Sequence, residues 1–239
     1  MTAVLFDLDG TLLDGADLPL AVRGAADALA AAVPGLDADA VVAANTAEWQ
    51  ELWPEVEDDW MLGTLPGAGI SDRAWRGTLA RCGLHDEALV ALASRTFRER
   101  ERRVVRLFPD VLPALHALRA GGHRVGLVTN GAAVLQRDKL AAVGLDDGLD
   151  PVVISSEVGV AKPDRGVFEA ALALGGLEPA ATWFVGDNLG VDVLGARRAG
   201  LVPVWVNRTG RPRPEGAPEP DHEVTALTAL PALLGQAPR

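Results

Sequence analysis

A chain of 239 residues, 49% of them hydrophobic, can bury a substantial core, either as one large domain or as a core carrying an insert. Its net charge of -11 repels nucleic acid and anionic membrane at long range, so neither is expected as a partner. The single cysteine, Cys82, cannot form an internal disulfide, and the opening residues carry acids where a leader peptide would be apolar. The alanine-rich run over residues 25–33 is too short to cross a bilayer, so a soluble, cytoplasmic protein is predicted.

The chain begins Val4-Leu5-Phe6-Asp7-Leu8-Asp9-Gly10-Thr11. The apolar run reads as a strand buried on both faces of a parallel sheet. Strand alternation would place Asp7 and Asp9 on the same side, and Gly10 lets the backbone leave at an angle other residues resist. From residue 19 to about 105 the pattern is helical, with no strand signal. A first helix over 19–33 is stopped by Pro34-Gly35, a second is capped by Asp37, and others are expected over 72–82 and 86–103. Residues 63–69, rich in glycine around Pro66, should break the regular structure and suit a flexible lid.

From residue 109 strands and helices alternate. Strands are predicted over 125–129, 152–154, 182–185 and 202–206, each followed by a helix or loop, and residues 211–220 read as a proline-rich loop. The expected architecture is α/β: a Rossmann-like parallel sheet of about five strands with helices on both faces. An all-helical cap domain (residues 16–105) is inserted into a core made of residues 1–15 and 106–239.

Ligands of open α/β sheets bind at the carboxyl ends of the strands. Four strand ends carry polar residues there: Asp7 and Asp9; Thr129-Asn130-Gly131; Lys162, in the loop after the third strand; and Gly186-Asp187, with Asp192 following. Four carboxylates at one edge repel one another, by about 4 kcal/mol for a pair ~4 Å apart at an effective dielectric of ~20. Lys162 alone cannot offset that, so a divalent cation is expected. Oxygen ligands select a hard ion, and Mg²⁺ suits a site with few protein ligands plus phosphate.

These motifs, in this order, resemble the haloacid dehalogenase superfamily, and the insert resembles the helical cap of its first subclass. Within it, Thr129-Asn130-Gly131, Gln136, Lys139-Leu140, the segment 158–163 and Val204-Trp205-Val206-Asn207-Arg208 are similar to pyrimidine nucleotidases and N-acylneuraminate-9-phosphatases. The resemblance implies hydrolysis of a small phosphorylated metabolite through an aspartyl-phosphate. Asp7 would be the nucleophile and Asp9 the general acid and then base, which requires its pKa to be raised. Asp7, the Asp9 carbonyl and Asp187 would hold Mg²⁺; Thr129, Lys162 and the amides of Leu8, Asp9 and Asn130 would hold the phosphoryl oxygens. Thr11 and Asp192 would support these groups from behind. Haloacid dehalogenases characteristically lack the second aspartate, so Asp9 favours a phosphatase. A receiver-like signalling module also groups acids, Thr and Lys at a sheet edge, but carries its acceptor on a later strand and has no helical insert. In the cap, Trp49, Trp53, Trp60 and Trp75 are read as core packing, with a stacking surface as the alternative. The arginines over 95–106 are read as a solvated, salt-bridged face. Oligomeric state is not legible.

Overall fold

The computed structural model describes residues 2–64, 67–145 and 147–236. The chain starts in β1 (Ala3–Phe6), four residues all buried, and leaves the sheet at Asp7. The short strand β2 (Leu13–Asp14) is followed by α1 (Leu18–Ala32), α2 (Ala38–Leu62), α3 (Gly67–Arg81) and α4 (Glu87–Val104). β3 (Arg106–Leu107) then returns antiparallel to β2, so both ends of the helical insert run through one two-stranded ribbon. Arg106 fastens that ribbon, donating to Asp14 at 3.1 Å and to Asp17.

The insert's second and fourth helices, α2 and α4, begin where a side chain satisfies their first amides. Asp37 accepts from Asp39 N at 3.0 Å and Asp86 from Ala88 N at 2.8 Å. Ala25, Leu29, Val41, Trp75, Leu79 and Val90 meet in a core of the insert's own. The irregular segment expected over 63–69 is only partly irregular. Gly63 ends α2 in the left-handed conformation, but α3 already starts at Gly67, well before the predicted 72. Residues 65–66 of that segment lie outside the described residues.

Past the ribbon come α5 (Val111–Ala120), β4 (Arg124–Thr129), α6 (Ala133–Ala142), β5 (Val152–Ile154), α7 (Ser155–Val158), α8 (Arg165–Gly175) and β6 (Thr182–Gly186). A π-helical turn, Leu189–Val193, runs into α9 (Leu194–Arg198), and β7 (Val202–Val206), β8 (His222–Val224) and α10 (Leu230–Gln236) close the chain. The main sheet is parallel in the order β5-β4-β1-β6-β7-β8. It has six strands rather than about five. The extra one, β8, lies at the edge just after the proline-rich segment, too short and polar to carry a strand signal.

β1 is central, and both its faces are covered. Val4 and Phe6 join Leu115, Leu118 and Leu230 on one side, while Leu5 joins Phe168 and Phe184 on the other. Strand order reverses at β1, which places the crevice used by ligands of open α/β sheets at its carboxyl end.

Candidate active site

Asp7 is the first residue past β1, anchored where its amide donates to Val185 O at 2.9 Å. Its carboxylate lies with those of Asp187 and Asp192 in a group whose ligand atoms are all within 4.8 Å of one another. Asp187 follows β6; Asp192 is on the π-helical turn, where its Oδ2 accepts from Asn188 N at 3.0 Å. Lys162 reaches in from the loop after α7, donating to Asp7 Oδ1 at 2.6 Å and to Asp192 Oδ1 at 2.8 Å; its side chain is 2% exposed. Two glycines make the approach possible. A Cβ on Gly10, at φ +83°, would meet Asp187 Oδ2 at 2.7 Å, and one on Gly186 would meet the Asp192 side chain at 2.4 Å.

One lysine does not balance three acids. Burial pushes Asp7 up to about 7, the charges of Asp192 and Asp187 push the same way, and Lys162 opposes them. Asp187 is pushed up to about 6, by burial and then by Asp192. Burial alone would lower Lys162, but Asp192 and Asp7 hold it above the ordinary lysine range. This deficit of positive charge among hard oxygen donors fits a divalent cation.

Thr129 and Asn130 stand beside Lys162, at the end of β4. Asn130 is clipped to the Lys162 backbone, its Oδ1 accepting from Lys162 N at 2.8 Å and its Nδ2 donating to Lys162 O at 2.9 Å. Thr129, 1% exposed, accepts from Gln136 Nε2 at 2.7 Å. Thr11 donates to Asp187 Oδ1 at 3.5 Å. Leu8 is buried between the two aspartates.

Asp9 departs from expectation twice. Its side chain does not face that of Asp7, because β1 ends at Phe6 and strand alternation does not extend across Asp7 to Asp9. It turns instead to Lys139 Nζ, at 2.8 and 2.9 Å from its two oxygens, and to Gln136 Nε2 at 3.0 Å. Nor is its pKa raised. Burial pushes it up, but the charge and hydrogen bonds of Lys139, with Gln136, outweigh burial and hold Asp9 below the usual carboxylate range.

Between this edge and the insert lies a cavity of about 560 Å³. Asp9, Gly10 and Lys139 line one part; Trp49, Trp53, Trp60, Trp75 and Phe97 line another. Trp75, 2% exposed, is core as expected; Trp49, Trp53 and Trp60 pack against Leu52, Val56, Ile70 and Ala74 but stay half-buried. Arg98, expected on a solvated face, is also at the cavity wall, whereas Arg102 and Arg106 are exposed and salt-bridged.

Residues 1–200 match the family model of haloacid dehalogenase-like hydrolases. The chain belongs to that family. This hydrolase is 38% identical to a phosphoserine phosphatase of Thermus thermophilus, over 92% of this chain and 94% of that protein. It is 36% identical to a glyceraldehyde 3-phosphate phosphatase of Methanopyrus kandleri, over 86% and 84%. Among solved structures it resembles a HAD phosphatase from Thermococcus onnurineus, with a TM-score of 0.68, 30% identity and 98% of both chains covered.

The sequence brought in Gln136, Lys139 and Arg208 only as part of the resemblance and did not show what they touch in this hydrolase's site. Gln136 and Lys139, one turn apart on α6, grip Asp9; their spacing on one helix face was the available signal. Arg208, after β7, donates to Thr11 O at 2.7 Å and to Asp110 at 3.1 Å, and lies 3.6 Å over the Phe108 ring, bracing the loop that follows Asp9. Nothing local to Arg208 announces that role. Among the described residues no helix is long and apolar enough to cross a membrane.

Proposed function

We propose that this hydrolase cleaves a small phosphomonoester through a phosphoryl group carried on Asp7, with residues 16–105 as the cap domain over a core of 1–15 and 106–239. The observation that supports it best is the convergence of the Asp7, Asp187 and Asp192 carboxylates on one point beside a buried, doubly bonded Lys162. The phosphatase relatives support the same chemistry.

Asp7, the Asp9 carbonyl and Asp187 are the groups to hold Mg²⁺, which when bound offsets the charge of the acids and of the phosphoryl group. Lys162 engages Oδ1 of Asp7 and leaves Oδ2 to attack phosphorus. As that bond forms, the bond from phosphorus to the substrate alcohol breaks, and Asp9 gives the departing alkoxide a proton. Water then attacks phosphorus, Asp9 takes its proton, and the Asp7 carboxylate is released with inorganic phosphate. Lys162, Thr129 and the amides of Leu8, Asp9 and Asn130 hold the non-bridging oxygens where charge is concentrated. Asp192 orients Lys162, and Thr11 steadies Asp187. Asp9 as seen, ionised against Lys139, is in the form required for the second half of the cycle. Acting as acid in the first half requires it to leave Lys139 and take up a proton.

The test is hydrolysis of p-nitrophenyl phosphate with and without Mg²⁺. The wild-type chain is expected to turn it over only with the metal, and Asp7→Asn to lose at least ~10³-fold in kcat. Substantial metal-dependent turnover by Asp7→Asn removes the assignment.

A further inference from the structure

The cavity above Asp9 is larger and more aromatic than a two- or three-carbon phosphate needs. Its volume, about 560 Å³, is that of a site for a whole ring system. Trp49, Trp53 and Trp60 come from a single helix, α2, and form a connected row: Trp49 and Trp53 have centroids 6.4 Å apart with planes at 51°, and Trp53 and Trp60 6.4 Å apart at 61°. Their inner sides pack on Leu52, Val56, Ile70 and Ala74, so they are fixed, yet each stays half-buried and faces the same cavity as Asp9 and Lys139. Rings that are held on one side and uncovered on the other are a preformed stacking surface, because the entropy of ordering them has already been lost in folding.

Two of the charged pairs on the wall are matched within the protein. Asp9 is paired with Lys139, and Asp14 with Arg106. Arg98 and Glu101 remain: Arg98 Nη1 is buried without a hydrogen-bond partner, 4.0 Å from Asp72. That pair could hold the carboxylate and ammonium of an amino-acid phosphate. Such a short chain, gripped there, would leave the tryptophan row uncovered and the cavity unfilled. A ring stacked on one of these indoles and set edge-on to its tilted neighbour covers it.

We propose that the alcohol this hydrolase releases carries an aromatic or heteroaromatic ring, which packs on the Trp49–Trp53–Trp60 row while its phosphate meets Asp7. This rests on the phosphatase reading above and deepens it by naming the substrate class.

The experiment compares kcat/KM for 2-phenylethyl phosphate, ethyl phosphate and phosphoserine, all esters of primary alcohols, so that leaving-group chemistry does not favour the ring as it does in aryl phosphates. The wild-type chain with Mg²⁺ is expected to prefer 2-phenylethyl phosphate to each of the others by about tenfold or more. Trp53→Ala is expected to cut the 2-phenylethyl to ethyl ratio at least fivefold, and Trp53→Phe to restore most of it. The ratio is independent of how much of each variant is folded. Equal rates, a preference for phosphoserine, or a ratio unmoved in Trp53→Ala overturns the proposal while leaving the phosphatase reading intact. Failure of the wild-type chain to hydrolyse any of the three, or p-nitrophenyl phosphate, overturns both.

Discussion

The sheet edge and the insert's side of the cavity beside it are built on opposite plans. At the sheet edge polar side chains are tied to one another or to backbone: Lys162 to Asp7 and Asp192, Asn130 to the Lys162 backbone, Thr129 to Gln136, Asp9 to Lys139 and Asp187 to Thr11. On the insert side four indoles and the Phe97 ring line the cavity, with Trp49, Trp53 and Trp60 held by packing. A reaction that moves charge needs its charges placed in advance, and strand ends of a buried parallel sheet supply that rigidity. The inserted helical layer offers shape and apolar area, which suit the leaving-group selection proposed for it.

The difference is sharpest where the polar wall is cut. Lys162→Met leaves Asp7 and Asp192 buried without their shared cation, so a loss of ~10²-fold or more in kcat and ~3–5 kcal/mol of stability in the metal-free protein is expected from turnover and chemical denaturation. A loss under 1 kcal/mol would mean that water, rather than Lys162, satisfies those acids. Trp53→Ala, on the apolar wall, is expected to cost about 1–2 kcal/mol, less than a fully buried indole would.

Titration separates the walls next. In the metal-free fold Asp7 keeps its proton to about 7 and Asp187 to about 6, against an ordinary value of 3.8. The folded chain then binds more protons than the unfolded chain across that window, so these two acids make stability fall as pH rises from about 4 to about 7. A divalent ion favours ionised over protonated carboxylates. Magnesium is therefore expected to raise Tm by several degrees more at pH ~7.5 than at pH ~5, read by calorimetry. A magnesium shift that does not change with pH would contradict the cluster as its binding site.

The smallest expected effect is at Lys139. Lys139→Met removes the cation holding Asp9 below the usual carboxylate range. The acidic limb of the kcat profile is expected to move to higher pH, with about a tenfold loss or less at the optimum. An unchanged profile would mean that Lys139 only packs.

Much of this was legible in the sequence because it depends on local chemistry. The run Val4-Leu5-Phe6 reads as a central strand since both its faces are buried, and each polar strand end follows directly on its strand. The capping aspartates Asp37 and Asp86 announce their helices for the same reason. What escaped depends on contacts between distant segments. Asp9 turns toward Lys139, 130 residues further on, and no pattern around Asp9 records that. β8 has three residues and is a strand only because β7 offers an edge. Tryptophans at helical spacing read as core, and Trp49, Trp53 and Trp60 do pack on a core cluster, but only the fold shows that they also line a cavity.

The central claim is that Asp7 itself carries the phosphoryl group. Turnover quenched into borohydride, which reduces an acyl phosphate to the alcohol, tests it most directly when the chain is digested and read by mass spectrometry. Homoserine at position 7, and there alone, appearing only when phosphomonoester and magnesium are both present, is the result expected. Trapping at Asp9, Asp187 or Asp192 with an unmodified Asp7 would contradict the account.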